Sequence, residues 1–185
     1  APVPVTGEPP VGSGSPPPGA GCLPGAARWA YGEALEHRDE GNKLVQAHQY
    51  EHANERCAGA VDLLSVYDDA ARELLAAVRL DLSLCFLKLE RWAPAVNAAP
   101  YAMQGERRAH DTNDDVLPPA RMAKALFRRA TAYEGLRCFG KARDDLLQAR
   151  LLAPDDASIV KLLRRCDSAA ALHAADDDPA AVGGA

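Results

Sequence analysis

The stretch that decides the fold runs from Lys124 to Ala142 and reads KALFRRATAYEGLRCFGKA. It places small residues at Ala130 and Ala142, an aromatic residue at Phe139, and a proline further along the chain at Pro154. Small side chains let two helices approach closely, and proline ends a helix because its ring nitrogen has no hydrogen to donate. The stretch therefore predicts two antiparallel helices joined by a short turn.

The same order of small and aromatic residues occurs twice more in the chain. The first copy contains Gly41, Tyr50, Ala53, Cys57 and Ala60, and the second contains Trp92, Ala95, Ala99 and Ala102. This pattern resembles the tetratricopeptide repeat, whose period is about 34 residues. Equivalent alanines are 42 and then 47 residues apart, so we expect one insertion near residues 65–71 and a loop over residues 105–119.

The three copies predict an all-α fold. We expect a right-handed α-α superhelix, that is, a tetratricopeptide-repeat solenoid of three helix pairs followed by a C-terminal capping helix. A terminal helix of this kind covers the apolar face that the last pair would otherwise expose. The predicted repeats span about residues 28–66, 69–104 and 119–153, and the predicted capping helix spans residues 155–172.

Both ends of the chain differ in composition from this central domain. Residues 1–27 contain eight prolines among glycines and serines, and residues 173–185 are mostly alanine, aspartate and glycine. Such segments cannot bury enough apolar surface to offset the entropy lost on ordering. We therefore predict a disordered linker and a disordered tail; a proline-rich ligand for SH3-type grooves is the alternative for residues 16–18.

The overall composition excludes several classes of protein. A chain of 185 residues suits one domain with tails, and its net charge of −5 argues against nucleic-acid binding, which needs a basic surface. No run approaches the about 18 apolar residues of a membrane span, and the first residues lack the features of a signal peptide. We expect a cytoplasmic protein that does not bind membranes.

The sequence offers no metal, cofactor or catalytic motif. Its five cysteines form no C-x-x-C pair, and Cys57, Cys85 and Cys138 fall at positions predicted to be interior. Phosphate loops, nucleophile elbows and zinc-protease motifs are absent. We predict a non-catalytic chain without cofactors; any catalytic domain, such as a prolyl isomerase, would belong to a longer parent protein.

Two pairs of polar residues share the spacing of one helical turn. Arg38 and Asn42 lie on the predicted first helix of repeat one, and Lys124 and Arg128 on that of repeat three. With Asp81 of repeat two, they resemble the binding site of co-chaperone tetratricopeptide domains, most closely those of the large immunophilins of the cyclophilin-40 and FKBP types. The resemblance implies a carboxylate clamp, in which such side chains bind an acidic C-terminus through charge-assisted hydrogen bonds.

Asp81 departs from the pattern of that family, which has asparagine at this position. An aspartate only accepts hydrogen bonds, and two like charges about 4 Å apart repel by about 4 kcal/mol at an effective dielectric of about 20. Neutralisation by Arg38 or Lys124 would reduce this repulsion but would occupy the cation. Four other cationic residues are interpreted as surface charges: Lys88, Arg121, Arg129 and Arg164.

These observations predict a monomeric, co-chaperone-like interaction module that binds the C-terminal peptide of a heat-shock chaperone of the 90 or 70 kDa class. The predicted peptide-binding residues are Arg38, Asn42, Asp81, Lys124 and Arg128. Two alternatives stay open. In the first alternative, the groove has diverged at Asp81 and binds a different peptide. In the second, the chain is the docking domain of a peptidyl-prolyl isomerase.

Overall fold

A computed structural model describes residues 25–65, 68–103 and 118–176. These residues form seven α-helices: α1 Gly25–Gln46, α2 Tyr50–Ser65, α3 Asp68–Lys88, α4 Trp92–Met103, α5 Pro119–Gly135, α6 Phe139–Leu152 and α7 Ala157–Asp176. The helices α1 and α2, α3 and α4, and α5 and α6 form three pairs, and α7 follows as the last helix. The predicted all-α solenoid is confirmed.

The folded domain is longer at both ends than the sequence predicted. Helix α1 begins at Gly25, so residues 25–27, predicted to be linker, are helical, and Ala27 is buried. Helix α7 continues to Asp176, beyond the predicted end of the capping helix. The predicted disorder of residues 1–24 and 177–185, and most of the predicted loop over residues 105–119, lie outside the described residues.

Small residues allow the helices to pack closely. The repeat-equivalent alanines identified in the sequence are at most 1% exposed: Ala53, Ala60, Ala95, Ala99, Ala130 and Ala142. Among the described glycines, Gly135 has the closest neighbour, since a Cβ atom at this position would lie 2.4 Å from Cδ2 of Trp92. This contact joins the second repeat to the third.

Two apolar clusters stabilise the ends of the solenoid. The first lies among α1, α2 and α3 and contains Leu64, Leu75 and Val78. The second includes Leu146 of α6 and Ile159 of α7, so α7 covers the third pair as a capping helix. Cys57 and Cys85 are fully buried as predicted, whereas Cys138 is only half-buried because it precedes α6 in the turn.

The first helices of the pairs line one face of the solenoid. Helix α1 contacts α3, and α3 contacts α5, in addition to the contacts within each pair. Side chains that these three helices direct away from their partners therefore share a common groove. The predicted binding residues all lie on α1, α3 and α5.

Candidate functional site

A cavity of about 270 Å³ lies where α1, α3 and α5 meet. Its charged lining consists of Arg38, Asp81, Arg121 and Lys124. Three cations and one carboxylate give this cavity a formal charge of +2, in a chain whose net charge is −5. The rest of the lining is apolar: Ala77, Leu80 and Ala120.

Arg38 and Asp81 form an ion pair across the groove. The Arg38 Nε donates a hydrogen bond of 2.9 Å to Oδ2 of Asp81. The two side chains are 32% and 16% exposed, so the pair is partly protected from water. Asp81 is therefore neutralised by Arg38, one of the two cations that the sequence suggested for this role, and Arg38 is correspondingly occupied.

Lys124 is the predicted cation that remains exposed in the cavity. It lies on α5 and faces the same space as Arg38 and Asp81. An exposed ammonium group at the edge of a small cavity retains its water until a ligand displaces it, so Lys124 is available to a bound anion.

Arg128 has a different environment from Lys124, although it lies one turn further along α5. Its side chain is buried, with the residue 6% exposed, and its Nη1 donates a hydrogen bond to the carbonyl oxygen of Leu80. Burial lowers the pKa of the guanidinium, and the nearby charge of Asp81 opposes that shift. Arg128 thus joins α5 to α3 beneath the cavity and does not line it.

Asn42 also lies outside the cavity lining. It follows Arg38 by one turn of α1 and is half-buried. Of the five residues predicted from the sequence, the structure brings Arg38, Asp81 and Lys124 to one cavity, whereas Asn42 and Arg128 are not among its lining residues.

Sequence reasoning missed Arg121, which it interpreted as a surface charge. Arg121 lines the cavity with Lys124, three residues further along the same helix. Residues three and four apart share a helical face, so the series 121, 124 and 128 was the signal that could have identified it.

The described residues contain no group of histidine, cysteine and acidic side chains that could hold a metal ion. Within the same ranges, no helix has both the length and the apolar character needed to cross a membrane.

Comparisons with known proteins identify relatives of this domain. No family model matches the chain. The peptidyl-prolyl cis-trans isomerase FKBP42 of Arabidopsis thaliana is 28% identical over 142 residues, which cover 72% of this chain and 35% of the relative. The chain thus spans about a third of that relative's length.

Two solved structures that are similar to this chain contain a bound chaperone peptide. The myosin chaperone UNC-45 of C. elegans, in complex with a Hsp90 peptide, superposes with a TM-score of 0.61 and 31% identity, covering 75% of this chain and 14% of that one. The first tetratricopeptide domain of Spaghetti (RPAP3), bound to the HSP90 peptide SRMEEVD, superposes with a TM-score of 0.60 and 20% identity. The superposition covers 76% of this chain and 95% of that one. The predicted resemblance to tetratricopeptide domains of co-chaperones and immunophilins is confirmed.

Proposed function

We propose that this domain is a non-catalytic interaction module that binds the acidic C-terminal tail of a heat-shock chaperone of the 90 or 70 kDa class. The observation that carries the proposal is the convergence of cations from α1 and α5 on one small cavity. In an acidic chain, a locally basic cavity attracts an anionic segment and directs it to this point.

The chemistry of the cavity fits a terminal carboxylate. Lys124 provides an exposed ammonium group, and hydrogen bonds to charged groups contribute about 1.5–3 kcal/mol each. The small apolar side chains of Ala77 and Ala120 leave room for the backbone of an extended peptide to approach. The peptide complexes of UNC-45 and RPAP3 support the assignment, because both domains have the fold described here.

A second candidate function is the binding of a different peptide by a groove that has diverged at Asp81. Its ion pair with Arg38 removes one cation from the set that the family resemblance implies. A ligand with a neutral or basic group opposite Asp81 would then be preferred over a purely acidic tail. A library of peptides with free and internal termini separates the two candidates, since only the first requires an acidic C-terminus.

Isothermal titration calorimetry with the peptide SRMEEVD tests the proposal. We expect measurable binding by the wild-type chain, and Lys124→Gln should weaken it about tenfold or more, since one charge-assisted hydrogen bond is lost. Lys161→Gln on α7 is the matched control, because Lys161 is exposed and lies outside the cavity. Absence of heat with the wild-type chain at high peptide concentration would disprove the function.

A further inference from the structure

Arg121 has an unmet hydrogen-bonding capacity within the basic cavity. Its Nη1 is buried and has no hydrogen-bond acceptor among the described residues. Its Nη2 lies 3.9 Å from Oε1 of Glu73, whose side chain is 73% exposed, so this ion pair is loose and accessible to water. A buried charged donor without an acceptor costs about 1–3 kcal/mol or more, so the Arg121 guanidinium gains free energy from a carboxylate that contacts its exposed part.

Arg38 lacks such capacity at its Nε. That nitrogen already donates to Asp81 at 2.9 Å, and the pair is partly protected from water. The cations without a close carboxylate partner in the cavity are therefore Arg121 and Lys124, both on α5. They are three residues apart and lie on one helical face.

The start of α5 adds to the positive potential at this point. The helix begins at Pro119 without a side-chain cap, and its first turn contains no acidic residue. The partial positive charge of a helix N-terminus is therefore uncompensated beside Ala120 and Arg121. This contribution is small by itself, but it acts in the same direction as the two side-chain charges.

We infer that Arg121 is a ligand-binding residue of this groove, and that Arg121 and Lys124 together hold the carboxylate of an acidic peptide. The anion-binding centre thus lies on α5, whereas Arg38 serves mainly to neutralise Asp81. This inference rests on the proposed function and specifies which residues perform it. Because a guanidinium group presents two parallel donors that match a carboxylate, Arg121 also contributes geometric selectivity.

Calorimetric titration with SRMEEVD of the wild-type chain and of four variants, Arg121→Gln, Arg121→Lys, Arg150→Gln and Lys124→Gln, tests this assignment. We expect Arg121→Gln to weaken binding about tenfold or more and Arg121→Lys to weaken it by less, because lysine keeps the charge but loses the bidentate geometry. Arg150→Gln is the matched control, since Arg150 is exposed on α6. Urea unfolding of each variant checks that the fold is retained.

The possible outcomes distinguish this inference from the function on which it rests. If Lys124→Gln weakens binding and Arg121→Gln binds as tightly as Arg150→Gln, the role of Arg121 is refuted and the tail-binding function stands. If the wild-type chain does not bind SRMEEVD, the function and the inference both fail. Equal affinity of Arg121→Lys and the wild type would limit Arg121 to a charge effect and refute the bidentate contact.

Discussion

Replacement of Asp81 by asparagine should change binding and stability in opposite directions. The carboxylate lines the cavity where we expect the ligand's carboxylate to lie. At an effective dielectric of about 20, two like charges repel by about 4 kcal/mol at 4 Å and by about 2 kcal/mol at 8 Å. Removing the charge should therefore strengthen the binding of SRMEEVD at least about tenfold, since each factor of ten corresponds to about 1.4 kcal/mol.

The same substitution should reduce the free energy of unfolding. The 2.9 Å hydrogen bond from Arg38 would change from a charged to a neutral acceptor, and this difference is worth about 1–1.5 kcal/mol. The buried Arg128 would also lose a compensating charge. We expect a total loss of about 1–2 kcal/mol, which lowers the Tm by roughly 2–8 °C.

Calorimetry and urea unfolding measure the two effects on one preparation. Asp144→Asn is the matched control, because it removes an exposed carboxylate of α6 and changes the net charge equally. Weaker binding by Asp81→Asn would refute the reasoning, since it would mean that Asp81 positions Arg38 for the ligand. Unchanged binding would place the ligand away from position 81.

Two further pairs of substitutions test how the helices pack. Arg128→Ala should lower the free energy of unfolding by about 3 kcal/mol, because it removes a buried donor and leaves the Leu80 carbonyl with one fewer partner. Lys124→Ala should change the free energy of unfolding by no more than about 0.5 kcal/mol, because Lys124 is exposed. Equal losses in urea unfolding would contradict the different environments of the two residues. Gly135→Ala should destabilise the fold by about 1–3 kcal/mol, because the new Cβ would overlap the Trp92 ring. Gly32→Ala should stabilise the fold by about 0.5–1 kcal/mol, because Gly32 lies in α1 with open space around it. A thermal melt that shows the same sign for both glycines would contradict the close contact.

The sequence predicted the helices well because their limits follow from local chemistry. Helix α5 begins at Pro119, where the third repeat was predicted to start, because proline is favoured in the first turn of a helix. The ends of the domain were less predictable. Gly25 and residues 173–176, which lie beyond the predicted capping helix, have weak sequence signals but continue the helices α1 and α7.

The candidate site was predictable in position but not in the role of each side chain. Helical spacing selected Arg38 on α1 and Lys124 on α5, and both residues line the cavity. It did not show that the Arg128 side chain turns inward to the Leu80 carbonyl, which requires the packing of α3 against α5. The ion pair between Arg38 and Asp81 joins residues 43 positions apart, so its formation depends on tertiary structure.

The central claim is that the groove binds an acidic C-terminus. Its most direct test compares the binding of two peptides to the wild-type chain. Isothermal titration with SRMEEVD bearing a free C-terminus, and with the same peptide amidated at the C-terminus, isolates the terminal carboxylate. We predict that amidation weakens binding about tenfold or more, because the charge that Lys124 holds is removed. Equal affinities for the two peptides would contradict the proposal that this cavity recognises a terminal carboxylate.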